Sequence, residues 1–218
     1  GGIDVSFTAI AAFTMYVTAM MLNAGAPWVP WWGALLVGMG IGAALGGINA
    51  IFIAGFGLPT LIVTLGTLSI FRGFMLTFIG QKQITTLPPG MREIGRTMIV
   101  RGTNADGSFY SLHATFLATL VVIALTWFIL YRTMLGRAIF AIGGSAESAR
   151  RIGIPVRAVQ AFIYVYVGAL AGLAGIIHAS MARVANPFDL VGLELSVIAA
   201  VVLGGARLAG GHGTLTGT

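Results

Sequence analysis

Titratable and nucleophilic side chains are scarce in this sequence, so each can be asked what chemistry it would support. Cysteine is absent, which removes disulfides, thiolate zinc sites and thiol catalysis. The three histidines, His113, His178 and His212, are not spaced so that two could hold a metal from one helix face. The sequence has no H-E-x-x-H, no G-x-G-D, no serine paired with lysine or histidine on a helix, and no G-x-x-x-x-G-K-[ST]. No catalytic residue, metal site or cofactor is expected, and the chain is not expected to hydrolyse ATP itself.

What remains is a charged island, GGSAESARRIGIPVRA at 143–158, which packs Glu147, Arg150, Arg151 and Arg157 between long apolar segments. Its local signals agree. Ser145 is a good N-cap, Glu147 suits the positive end of a helix dipole, and Arg150 with Arg151 suits the negative end. Gly153 can take the left-handed position after the helix, and Pro155 forbids continuation. The spacing predicts a helix of about two turns over 145–152, roughly 10 Å long. A helix this short is unstable alone in water, so a partner is expected to dock on it.

The elements that must carry the island are membrane spans. Of 218 residues 57% are hydrophobic and only 8% charged, with a mean hydropathy of +0.96; soluble domains carry roughly 25% charged residues. The net charge of +6 reflects basic residues between apolar segments, with no basic stripe or aromatic RNA-binding motif, so nucleic acid is excluded as a partner. Segments at 5–22, 31–54, 57–80, 112–131 and 159–182 have spanning length, and a shorter one at 195–211 is broken by Gly204 and Gly205. The 24 residues of 31–54 would reach about 36 Å against a hydrocarbon core of about 30 Å. Runs of this length without period-2 alternation make strands unlikely, and the polar stretch 81–111 reads as a loop with turns at LPPG and NADG. If the five long segments cross, loops 23–30, 81–111 and 183–194 share one side, opposite 132–158. Each side then carries five basic residues, so charge does not orient the chain.

The expected fold class is an all-α membrane protein: a polytopic helix bundle with broken helices, one domain over 1–218. Gly38, Gly42 and Gly46, like Gly168 and Gly172, recur every four residues, a spacing that lets helix backbones touch. Gly57-Leu58-Pro59 before one apolar run and Gly192-Leu193-Glu194 before another suggest an internal repeat, which is a transporter signature. Arg72 lies inside the 57–80 run, where it either snorkels to the interface or makes a structural pair. Asp4 and Glu194 stand beside broken helix starts. Asn49, Thr64 and Thr67 are candidate polar liners of a path, or else bond to backbone within their own helices. The chain starts at Gly1 without an initiator Met and stops at GGHGTLTGT, so a fragment of a longer membrane protein is expected.

Four stretches, in order, resemble the permease subunits of bacterial ABC importers for ribose, xylose and other simple sugars. They are GGIDVS at 1–6, LPTLIVTLGTLSIFRG at 58–73, GRAIFAIGGSAESARRIGI at 136–154 and GLELSVIAAVVLGGARLAGGHGTLTGT at 192–218. The resemblance implies that 132–158 is a cytoplasmic coupling loop, with Gly144, Ser145, Glu147, Ala149, Arg150, Gly153 and Ile154 meeting a separate ATPase subunit. It also implies a second permease chain (homo- or heterodimer), a periplasmic or extracellular solute-binding protein, and the bacterial inner membrane. A substrate pathway would include Asn49, Thr64, Thr67 and Glu194. Where the family usually has Asn in the loop, Ser145 stands here, a similarly good cap. An ion-coupled secondary transporter or channel is the alternative, but it would need carboxylates inside a span, and the sequence shows none at mid-segment.

Overall fold

The computed structural model describes residues 2–104, 106–207, 210–215 and 217. Among the described residues five helices are long and apolar enough to cross a membrane. Helix α1 spans Phe7–Gly25, and α2 spans Trp31–Ala50 and widens into a π-turn at Ile51–Gly55. Helix α3 spans Thr60–Phe74 with a second π-turn at Met75–Ile79. After the short α4 (Pro89–Ile94) and an antiparallel hairpin of β1 (Met98–Thr103) and β2 (Phe109–His113) comes α5, Thr115–Arg132. Helices α6 (Met134–Gly144) and α7 (Ala146–Arg151) precede the longest helix, α8 (Val156–Ala182), and α9 covers Leu193–Leu203.

The core is built on α8. In lipid, apolar side chains gain little by leaving one apolar medium for another, so helices associate by close backbone packing. Helices α2 and α8 run antiparallel along their glycine ridges. A methyl group placed on Gly42 would overlap the carbonyl of Gly168, and one on Gly46 the carbonyl of Tyr164. From the other side, methyls on Gly168 and Gly172 would strike the carbonyls of Gly42 and Gly38. Helix α1 joins the same surface, where Gly175 meets the carbonyl of Ala11. Around these contacts Met15, Ala19, Ala34, Met75, Met91, Ile176 and Ala179 are fully or almost fully buried.

The connections sort onto two ends. Ile84 and Ala185 exchange backbone hydrogen bonds of 2.9 and 3.0 Å, and the Asn23 side chain donates to the Thr86 carbonyl at 2.8 Å. The loops after α1, α3 and α8 therefore gather at one end. Helices α6 and α7 lie at the other.

Three sequence expectations need correction. The stretch 81–111 is not loop alone: it holds α4 and most of the hairpin. β-Branched and aromatic residues (Ile99, Val100, Thr103, Phe109, Tyr110) flank the NADG turn, where Gly107 takes φ +83° and the Asn104 N–H donates to the Ser108 carbonyl. At that turn Asp106 accepts from the Ser108 N–H and hydroxyl, which holds its carboxyl below the usual range. The expected coupling loop 132–158 contains a further helix, α6, because Leu135, Ala138, Ile139 and Ile142 form an apolar face at helical spacing. Finally, the segment expected at 195–211 is helical only to Leu203; its residues 208 and 209 lie outside the described residues.

The glycine ridge yields a direct test. Gly42→Leu should destabilise the bundle by about 3 kcal/mol, the upper range for overpacking, because its neighbour is backbone that cannot rotate away. Gly40, two positions away, faces open space, and Gly40→Ala should be neutral or stabilising by up to ~1 kcal/mol. Thermal unfolding of both variants in detergent would read the difference.

Candidate functional site

Helix α7 is fixed at both ends by its own sequence. Ser145 adopts extended backbone, and its hydroxyl accepts the Ser148 N–H at 3.2 Å, the N-cap bond. At the other end the Gly153 N–H donates to the Arg150 carbonyl (3.1 Å) and the Ile154 N–H to the Ala149 carbonyl (3.0 Å). This pair of bonds is the Schellman closure, and it needs the left-handed backbone that Gly153 supplies at φ +85°.

The helix has an inner and an outer face. Ala149 is buried, and with Ile142, Val156 and Val159 it forms a small core into which Ile154 and α6 pack. Glu147, Arg150 and Arg151 point outward. Glu147 and Arg151 form an exposed i,i+4 ion pair at 2.6 Å, a geometry that contributes at most about 1 kcal/mol. Beside them Ile152 is 75% exposed. Sequence reasoning gives Ile152 no role, although an apolar residue between Arg151 and the closing Gly153 is a local signal for an exposed apolar contact.

The four pathway candidates each have their own bonding partners. Asn49 and Thr64 are completely buried and both hold the extended residues that lead into α1. The Asn49 amide donates to the Ser6 hydroxyl at 2.8 Å. The Val5 N–H donates to the Thr64 hydroxyl, which in turn donates to the Ile3 carbonyl, each at 3.3 Å. Asp4 completes this strap by accepting from the Ser6 N–H (2.8 Å) and hydroxyl (2.7 Å). Thr67 bonds within its own helix, to the Thr64 carbonyl at 3.4 Å.

Glu194 accepts a short hydrogen bond from the Thr8 hydroxyl, 186 positions away. Helix α1 packs at that level against Ala171, near the middle of α8. The carboxylate at the start of α9 thus sits at mid-bundle depth, where the sequence had no acid within a span. Arg72 borders the same narrow crevice, which also includes Asp189. Asp189 in turn lies 3.3 Å from the His178 ring and accepts from the Asn186 amide at 2.7 Å. Among the described residues no group of three His, Cys, Asp or Glu side chains is arranged to hold a metal.

Comparison with known proteins gives a consistent picture. Residues 1–218 match the family described as branched-chain amino acid transport system / permease component. The chain is 34% identical over 215 residues to the autoinducer 2 import system permease protein LsrC of Salmonella paratyphi B, covering 99% of this chain and 58% of the relative. To the protein of the same name from Escherichia coli K12 it is 32% identical over 215 residues, covering 99% and 59%. The chain thus spans about three-fifths of the length of these relatives. No solved structure matches it.

The caps of α7 can be tested apart from any transport assay. Ser145→Ala should cost about 1 kcal/mol of local stability and lower amide-exchange protection over 146–151 about fivefold, whereas Ser145→Asn should preserve it.

Proposed function

The chain belongs to this family of transport-system permease components, and from that membership we propose that it is the membrane-spanning part of a binding-protein-dependent ABC importer. The observation that carries the reading is α7, a helix capped at both ends whose outer face offers Glu147, Arg150, Arg151 and Ile152 to a partner. In this proposal α7 faces the cytoplasm of a bacterial cell whose inner membrane the helices cross, and it seats in a separate ATPase subunit. Closure of the ATPases on ATP would displace α7. Because α6, α7 and the first turns of α8 share one small core, that displacement would reach α8 directly. Gly144, Ser145, Ala149, Gly153 and Ile154 keep α7 in shape, while Glu147 and Arg150 meet the partner.

A second permease chain and an external solute-binding protein complete the proposed assembly. The cargo proposed is a simple sugar or sugar-like solute, the class suggested by the motifs at 1–6, 58–73, 136–154 and 192–218. The similar proteins named for autoinducer 2 import make that molecule a cargo to test beside pentoses. Asn49 and Thr64 support the strap that sets the start of α1, Thr67 bonds within its own helix, and Glu194 is the pathway candidate at mid-bundle depth.

Reversing charge with Glu147→Lys or Arg150→Glu should uncouple the importer. In nanodiscs and proteoliposomes containing the partner subunits, solute-stimulated ATPase activity and uptake should fall at least tenfold while the permease still folds. Wild-type coupling in both variants, or uptake that needs an ion gradient and no ATP, would contradict the proposal.

A further inference from the structure

Asp4 borders two cavities. One, of about 460 Å³, opens at the α7 end of the bundle and has Gln160, Tyr164 and His212 in its wall. The other, of about 290 Å³, separates the strap before α1 from α9 and the glycine-rich segment that follows it. This second cavity is mostly apolar, with Ile3 and Phe7 on the strap side and Val197, Ile198 and Val201 on the α9 side. Two opposite charges line it all the same: Asp4 from the strap and Arg207 from the segment after α9. In the sequence each charge follows a Gly-Gly pair by one residue, in GGID at 1–4 and GGAR at 204–207. The coupling role of α7 uses neither.

Both charges are short of partners. Asp4 spends one carboxylate oxygen on both Ser6 bonds, and among the described residues nothing donates to the other. The exposed Arg207 side chain makes no hydrogen bond or ion pair among the described residues, so the two charges share a cavity without touching. A carboxylate in apolar surroundings is costly unless donors or an opposite charge meet it. Among the described residues lining the two cavities, Arg207 carries the one permanent positive charge, and His212 is the other basic group.

Arg207 belongs to a turn that is tied to the coupling segment. Its N–H donates to the His212 carbonyl at 3.0 Å, and its carbonyl accepts from the Gly210 N–H at 2.9 Å. Gly205 joins this turn to α9 at φ +97°, a left-handed backbone state open to glycine. On the far side Gly211 packs against Gly143 and Gly144, the last residues of α6, so closely that a methyl on Gly143 or Gly211 would press into the facing backbone. Those residues lead directly into Ser145, the cap of α7. Backbone contact therefore passes a displacement of α7 to the turn, and the turn carries it to Arg207.

We propose that Asp4 and Arg207 are the two halves of an ion-pair latch, open in this structure, which closes the cavity between the strap and α9 when the guanidinium swings onto the free carboxylate oxygen. Closure would lock the start of α1 to the end of α9, two elements that otherwise meet through the Thr8–Glu194 bond. The drive from α7 rests on the permease reading. The latch itself needs no ATPase or binding protein and can be tested without them.

The test is disulfide trapping beside the latch. Ile3→Cys and Ala206→Cys place one thiol next to each charge, on residues that line the same cavity, and leave both charges in place. In the full-length permease in nanodiscs, mild oxidation should join the two cysteines. The yield should fall about fivefold when Arg207→Gln or Asp4→Asn is added and recover in Arg207→Lys. Asp4→Asn keeps an oxygen for the Ser6 bonds, so the strap survives the loss of charge. A yield unchanged by both neutralisations, or no disulfide either in the permease alone or in the complex trapped with ATP and vanadate, would overturn the latch. In the assembled importer, vanadate trapping should change the yield at least threefold. A charge-dependent yield that ignores trapping would uphold the latch and overturn its link to α7. ATP-driven uptake, measured in parallel, keeps either failure distinct from failure of the permease reading.

Discussion

The contact between the backbones of α2 and α8 sets the geometry of everything else. Gly38, Gly42 and Gly46 face Gly168 and Gly172 so closely that each ridge occupies space a β-carbon would need. This closeness supplies dispersion contacts that apolar burial cannot provide in lipid. Helix α8 then carries α1 on the Gly175 side and, near its first turns, the core shared with α6 and α7. A shift of α7 therefore has a rigid path into the bundle, because α8 is a continuous helix of 27 residues clamped along its length by its partner.

The second constraint is polar. The extended strap before α1 leaves backbone groups that membrane surroundings cannot solvate, and each would cost several kcal/mol if unpaired. Asp4, Ser6, Asn49 and Thr64 answer that need from three separate parts of the chain. Helix α1 can consequently begin inside the bundle, which leaves room below it for the cavity at the α7 end. Gly57 and Gly192 both adopt left-handed backbone just before α3 and α9, so the two glycines of the sequence echo also share a conformation.

How much of this was legible depended on how local the cause was. The spans and the caps of α7 follow from neighbouring residues: run length for the spans, and Ser145, Gly153 and Pro155 for the caps. The glycine ridges could be read as packing surfaces because their period is local, although which helices they join was not. Helix α6 was legible in principle from Leu135, Ala138, Ile139 and Ile142, but charged neighbours at Arg132 and Arg137 drew the stretch into a loop. Hairpin residues such as Val100 and Tyr110 carry strand propensity in runs too short to outweigh the polar setting. The Thr8–Glu194 bond and the gathering of Asp4, Gln160 and Tyr164 in one cavity depend on tertiary packing across more than 150 residues, for which one sequence holds no signal.

The proposed coupling role of α7 puts the ATPase at that end of the scaffold. Because the chain has no cysteine, a single Ile152→Cys substitution gives one reactive position on the exposed rim of α7. Site-directed cross-linking of that variant with its co-expressed ATPase should give a permease–ATPase adduct, whereas the same experiment with Phe109→Cys, on the exposed hairpin at the opposite end, should give none. Equal adduct from the two positions, or none from Ile152→Cys in an assembled and active complex, would contradict that placement.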